Sequence, residues 1–169
     1  MKALTIWQPW ASLLACGAKR FETRSWATSY RGPIAIHAAT LSIPQVLKKT
    51  FPMSEWTYHP DHDAKEQFLA VLTKAFSDYT PIEDIMGLLN ELPTGAIVAT
   101  ANLIECHKIT APYGTVDEAE RALGNWTPGR YAWEIANVKM ITPVPIKGRQ
   151  GLWNLEGAVN HADDELHNQ

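Results

Sequence analysis

The sequence predicts an α+β fold, a small β-barrel of about six strands with helices inserted between them. Three observations carry this. Short alternating or apolar runs recur along the chain, six or seven in all. Helical periodicity is concentrated in one stretch, about residues 42–91, between two strong strand signals. Strand and helix do not alternate regularly, which sets aside a doubly wound sheet.

The elements follow in order. Residues 4–7, "LTIW", read as a first strand. "QPWASLLACG" reads as a short helix, with Pro9 at the first helical position, Trp10, Leu13 and Leu14 on one face, and Gly17 as the left-handed residue after the last turn. From Arg20 to Trp26 the pattern alternates, with Phe21, Thr23 and Ser25 on one side and Glu22, Arg24 and Trp26 on the other. "RGPIAIHAA" is a second strand, Ile34 and Ile36 facing one way, Ala35 and His37 the other.

Three helices are expected next. Ser42 caps the first, with Gln45 three residues on. Phe68, Leu69, Leu72 and Phe76 form the stripe of the second. Thr80, Pro81 and Glu83 start the third, whose stripe is Ile82, Ile85, Met86 and Leu89. Gly95 to Cys106 is apolar on both faces and predicts a central strand. A short helix, Val116 to Leu123, is expected to be capped by Thr115 and Glu118. "GRYAWEIANVKMI" is a strand with Tyr131, Trp133 and Ile135 on one face. "TPVPI" reads as a separate edge strand, because prolines cannot donate to a central ladder. "KGRQGLWNL" is a turn into the last strand. Residues 1–156 thus form one domain that includes the helical insert, and 157–169 form an acidic flexible tail.

Composition bounds the function. The chain has 169 residues, 46% hydrophobic and 20% charged, enough for one domain with a core. No apolar run approaches a membrane span, and the N-terminus has no signal-peptide pattern. Cys16 and Cys106 match no metal or redox spacing, so reduced thiols in a cytoplasmic protein are expected. The net charge of −3 argues against indiscriminate binding of polyanions. Six of the fifteen basic residues, Lys19, Arg20, Arg24, Arg31, Lys147 and Arg149, nonetheless fall in two short segments. If the segments meet, they make a local positive patch.

Four constellations stand out. The first is Gly17-x-Lys19-x-x-Glu22-x-Arg24. Glu22 and Arg24 share a strand face, and Lys19 can lean over it. Arg24 suits a phosphate or base edge, Lys19 a point charge or a base, and Glu22 a proton or base N–H acceptor. The plain alternative is a surface ion pair worth at most ~1 kcal/mol, and spacing alone favours it. The second is seven tryptophans. Trp10 and Trp26 stand evenly between stacking platform and packing, whereas Trp7 and Trp133 are expected in core or rim packing. The third is "IKGRQG", where Gly148 and Gly151 bracket Arg149 after Lys147; on its own it is a basic hairpin. The fourth is "HPDHD", His59 to Asp63, better read as a helix entry capped by Asp61 or Asp63 than as a metal site. No metal or cofactor is expected.

Taken together, "TIWQPWASLLACGAKRFETRSW", "RGPIAIHAA", "GAIVATANLIEC", "GRYAWEI" and "PIKGRQGLWNL" resemble the ASCH (activating signal cointegrator homology) domain family. Its hallmark is G-x-K-x-x-E-x-R. The resemblance runs from Met1 to about Glu156, apart from the helical insert. It implies a PUA-like barrel with a cleft lined by Lys19, Glu22 and Arg24, and a mainly RNA-binding role in transcription coactivation, RNA processing or translation. One small bacterial member instead resembles an enzyme, hydrolysing the amide of acetylated cytidine with a lysine, a threonine and a glutamate. At that threonine position this chain has Glu22.

Three functions are therefore expected to compete. The first, preferred, is a monomeric binder of RNA or a nucleotide-like ligand, using Lys19, Arg24, Arg31, Lys147 and Arg149 for phosphate, Glu22 for a base edge, and Trp10 or Trp26 for stacking. The second is a hydrolase, an amidohydrolase or ribonuclease acting on modified nucleosides or RNA through Lys19 and Glu22. The third is a protein-interaction module whose partner surface is the helical insert.

Overall fold

The computed structural model describes residues 1–50, 62–76, 85–111 and 116–155. The first strand, β1 (Lys2–Ile6), leads into helix α1 (Trp10–Ala15), then strands β2 (Phe21–Arg24) and β3 (Gly32–Ala38). The insert supplies α2 (Ile43–Thr50), α3 (His62–Phe76) and α4 (Ile85–Glu91). Strand β4 (Ala96–Lys108), helix α5 (Glu118–Ala122), and strands β5 (Tyr131–Pro145) and β6 (Leu152–Asn154) complete the described chain. One six-stranded sheet runs β2-β5-β4-β3-β1-β6. Only the β1–β3 pair among these is parallel. Its crossover carries α1 and β2. The sheet curls into a half-barrel, and the Arg24 guanidinium of β2 reaches the Thr5 carbonyl of β1 at 2.8 Å across the opening.

Alternation sorts the strands' side chains into two cores. Leu4, Ile6, Ile34, Ile36, Leu103, Trp133 and Ile135 pack on Ala11, Leu14 and Ala15 of α1. Ala3, Ala35, Ile97, Trp153 and Leu155 pack on the opposite face. Leu13, next to Leu14, points the other way, into a third cluster with Ile43, Phe68, Leu72, Phe76, Leu89 and Leu123. Helix α1 is therefore buried on both sides, between the sheet and the insert. A fully buried leucine of this kind contributes roughly 1.5–3 kcal/mol, so α1 is a principal joint between the two layers.

Several expectations change. "TPVPI" is not a separate strand but the end of β5, with Val144 opposite Ile97 and Pro145 opposite Ala96. Strand β2 pairs only with residues 131–134, so Pro143 and Pro145 lie on a stretch where the other side of β5 carries no β2 ladder. The cap of α5 is Asp117, whose carboxylate accepts the Glu120 N–H at 2.8 Å, rather than Thr115 with Glu118. Thr115 itself lies outside the described residues, as do Thr80, Pro81, Ile82, Glu83, His59 and Asp61. Asp63 lies inside α3, which begins at His62, and so is not its cap. Pro9 stands one residue earlier than expected, at the N-cap. Met86 is 42% exposed and leaves the apolar stripe, while Leu89 is fully buried. Ser42 and Gln45 pair as expected, the Gln45 amide oxygen accepting the Ser42 N–H at 3.1 Å. Among the described residues no helix is long and apolar enough to cross a membrane.

Candidate functional site

Gly17 has φ +80°, the left-handed turn that ends α1. The Lys19 N–H then returns to the Leu13 carbonyl at 3.0 Å. This reversal sends the Lys19 side chain inward, beneath the start of β2. It is 0% exposed, donates to the Leu123 carbonyl at 3.0 Å and lies 3.9 Å from a Glu120 carboxylate oxygen. Glu120 also accepts the backbone N–H groups of Arg20 and Phe21. One buried cation and one buried carboxylate thus clamp α5 to the strand that carries the motif. Burial lowers the Lys19 pKa below the usual ammonium value, with Glu22 and Glu120 opposing the shift. Burial raises the Glu120 pKa, with Lys19 and the two N–H donors opposing it.

Glu22 and Arg24 do share a face, as alternation requires. Their register partners on β5 are Trp133 and Tyr131. Arg24 Nε lies 3.1 Å from Glu22 Oε1, an ion pair without the direction of a hydrogen bond. Side-chain exposures of 24% for Arg24 and 12% for Glu22 leave both within reach of a ligand.

Thr5 joins the motif to the second basic segment. Its carbonyl accepts Arg24 Nη2, its hydroxyl donates to the Arg149 carbonyl at 2.7 Å, and the same hydroxyl accepts from Trp153 Nε1 at 3.1 Å. The turn at 146–149 rests on buried His37, whose Nε2 bonds the Ile146 carbonyl at 3.0 Å. A carbonyl only accepts, so Nε2 carries the proton. A Cβ at Gly148 would stand 2.3 Å from His37 Cε1, so only glycine lets the turn sit this close.

The other sequence candidates divide. Trp26 is 36% exposed, edge-on to Trp133 at 4.5 Å. Lys147 and Arg149 are exposed. Trp10 packs against both the sheet core and the insert core, its ring 5.5 Å from Phe68, which is a packing position. Arg31 is held by Glu105 and by the Thr28 and Tyr30 carbonyls. Trp133 is fully buried, as a packing residue should be, while Trp7 is 43% exposed. Sequence reasoning did not single out Thr5, His37 or Glu120, which hold the motif strand and the basic turn in place. Glu120 had a signal, standing three residues after a capping Asp117. Thr5 had none beyond its strand parity.

Chemically, the arrangement offers a forked cation beside a carboxylate, a basic turn and an open indole. Among the described residues no group of three or more His, Cys, Asp or Glu could hold a metal. The chain is similar to activating signal cointegrator 1 of human and of mouse, 27% identical to each over 158 residues. That alignment covers 93% of this chain but 22% of each relative, so the chain spans about a fifth of their length. The model of the ASCH domain matches residues 4–145, strands β1 to β5 and the motif included, and the chain belongs to the ASCH domain family.

Proposed function

We propose that this ASCH domain binds RNA, or a nucleotide-like ligand, where Arg24, Glu22 and the Lys147–Arg149 turn meet. The observation that carries this reading is the Thr5 joint, which ties two basic segments from opposite ends of the sequence to one threonine. Membership of a family regarded as mainly RNA-binding supports it. Arg24, Lys147 and Arg149 would contact phosphate, Glu22 would accept from a base edge, and Trp26 would stack. Lys19 acts from beneath, holding the Leu123 carbonyl and Glu120 under the strand that carries Glu22 and Arg24. Arg31 would first have to leave Glu105, and Trp10 supports the site by packing. The experiment is binding of a labelled short single-stranded RNA at two salt concentrations. Arg24→Ala and Arg149→Ala should each weaken binding, and Arg149→Ala should lower the salt dependence by about one phosphate contact. RNA binding untouched by both substitutions sinks the reading.

A second reading, hydrolysis of a modified nucleoside, has one specific observation behind it. Lys19 and Glu120 are a contiguous buried pair with oppositely displaced acidities, a pattern common in acid–base sites. It requires α5 to lift, since Leu123 covers the amine. A panel of acylated nucleosides decides it. Product formation no greater than that of a Glu120→Gln control eliminates this alternative.

A further inference from the structure

Two exposed tryptophans each follow by two residues one partner of the Arg24–Thr5 bond. The Arg24–Thr5 bond ties β2 to β1. Trp26 follows Arg24 by two residues, and Trp7 follows Thr5 by two. Both rings are open, at 36% and 43% exposure, although an indole is usually well buried. Both backbones are nevertheless fixed. The Trp7 carbonyl accepts the Ala11 N–H at 3.1 Å, and the Trp26 carbonyl accepts Trp133 Nε1 at 3.2 Å. A held backbone with an exposed ring is the arrangement of a stacking platform, because little further ordering is needed on binding. Lys49, on α2 of the insert, places its ammonium 5.4 Å from the centre of the Trp7 ring.

We propose that Trp7 is a second base-stacking wall of the site, opposed to Trp26 across the Arg24–Thr5 tie, and that Lys49 brings the helical insert into the binding surface. This rests on the nucleic-acid reading above and narrows it. The ligand is a single strand with unpaired bases, because bases inside a duplex are already stacked and offer no free face. It also moves the aromatic role from Trp10, which is committed to packing, to Trp7. A single exposed tryptophan would need no explanation. Here a second open indole follows Thr5, the residue Arg24 bonds, and a lysine from another element lies against that second ring.

The test is fluorescence polarisation with three labelled probes: a single-stranded oligoadenylate of about eight nucleotides, an abasic strand of equal length, and a duplex. Trp7→Ala should weaken oligoadenylate binding roughly 5- to 100-fold, the range for losing one base–aromatic stack, and leave the abasic strand unchanged. Trp7→Phe, which keeps a ring and guards against misfolding, should retain most of the affinity. Lys49→Ala should reduce the salt dependence. If Arg24→Ala weakens binding but Trp7→Ala binds oligoadenylate as the unaltered protein does, the Trp7 proposal falls and the site reading stands. If the unaltered protein binds none of the probes, both fall. Equal loss on the abasic strand and the oligoadenylate also overturns the stacking role.

Discussion

Replacing Lys19 with methionine separates the two tasks its position allows, supporting the fold and touching the ligand. The side chain is 0% exposed, with one 3.0 Å bond to the Leu123 carbonyl and a 3.9 Å approach to Glu120. Removing the ammonium leaves the Leu123 carbonyl buried without that donor, a cost of about 1–3 kcal/mol. Breaking a buried ion pair by deleting one partner costs about 3–5 kcal/mol when the survivor is stranded. Glu120 is not stranded, because it keeps the Arg20 and Phe21 N–H donors, and 3.9 Å is long for a charge-assisted bond. Methionine also fills the same volume without the desolvation that depresses the Lys19 pKa. The net loss should therefore be about 2 kcal/mol.

Urea unfolding of the unaltered protein, Lys19→Met, Glu120→Gln and the double variant measures this, with the pair coupled by about 1 kcal/mol in the cycle. RNA affinity of the folded Lys19→Met protein should change by less than about threefold. Lys19→Met with unchanged stability and lost binding would refute the reasoning. The buried position would then be only a resting state, and Lys19 would belong among the ligand contacts.

Three further outcomes follow from the same structure. Gly148→Ala drives a methyl to 2.3 Å from the buried His37 ring, so it should cost about 1–3 kcal/mol in unfolding and weaken RNA binding by displacing the basic turn. Burial lowers the His37 pKa below 6.5 despite the bond to Ile146, so the unfolded chain takes up a proton that the folded chain refuses. That contribution is complete above about pH 6.5 and is lost as the pH falls toward the depressed folded value; urea midpoints between about pH 5 and 8 should show the decline, and His37→Gln should flatten it. Gly17→Ala meets no atom within 4 Å, so its cost is conformational, about 1 kcal/mol by thermal unfolding, with Gly17→Asn less harmful.

What could be read in the sequence was what neighbouring residues decide. Glu22 and Arg24 share a face because strand parity allows nothing else, and Gly17 turns the chain because its φ is left-handed. The central strand announced itself by apolar residues on both faces. Lys19 was legible as a special residue but not as a buried one. Its partners stand about a hundred residues away, in a helix whose sequence gives no sign of what it packs against. Thr5 was invisible for the same reason, since its three bonds run to Arg24, Arg149 and Trp153. The strand ending in "TPVPI" was misread because a proline's harm depends on whether a neighbour needs its N–H. Strand β2 stops too early to need it. Trp7 was expected only to pack, in the core or at its rim. Strand β1 ends at Ile6, however, and the chain turns into α1 before the ring can be covered.

The fate of the basic residues bears on how such a site can select. Two of the six cations that made the positive patch are withdrawn, Lys19 into the interior and Arg31 into a pair with Glu105. Arg20 lies over the ring of Phe21, which packs with Ile109 and Trp126 in a separate cluster. Arg24, Lys147 and Arg149 remain on the Thr5 side, with Lys49 beyond Trp7. A chain of net charge −3 with three of these six cations turned away from that side gains less there from counterion release, and long polyanions should be held weakly. On the proposed reading, affinity would then come from contacts that do not scale with length: the Arg24 fork, the Glu22 acceptor, and the faces of Trp7 and Trp26. On the proposed reading those contacts would recognise a base and the phosphate beside it, and the domain would find an unpaired nucleotide rather than follow a strand.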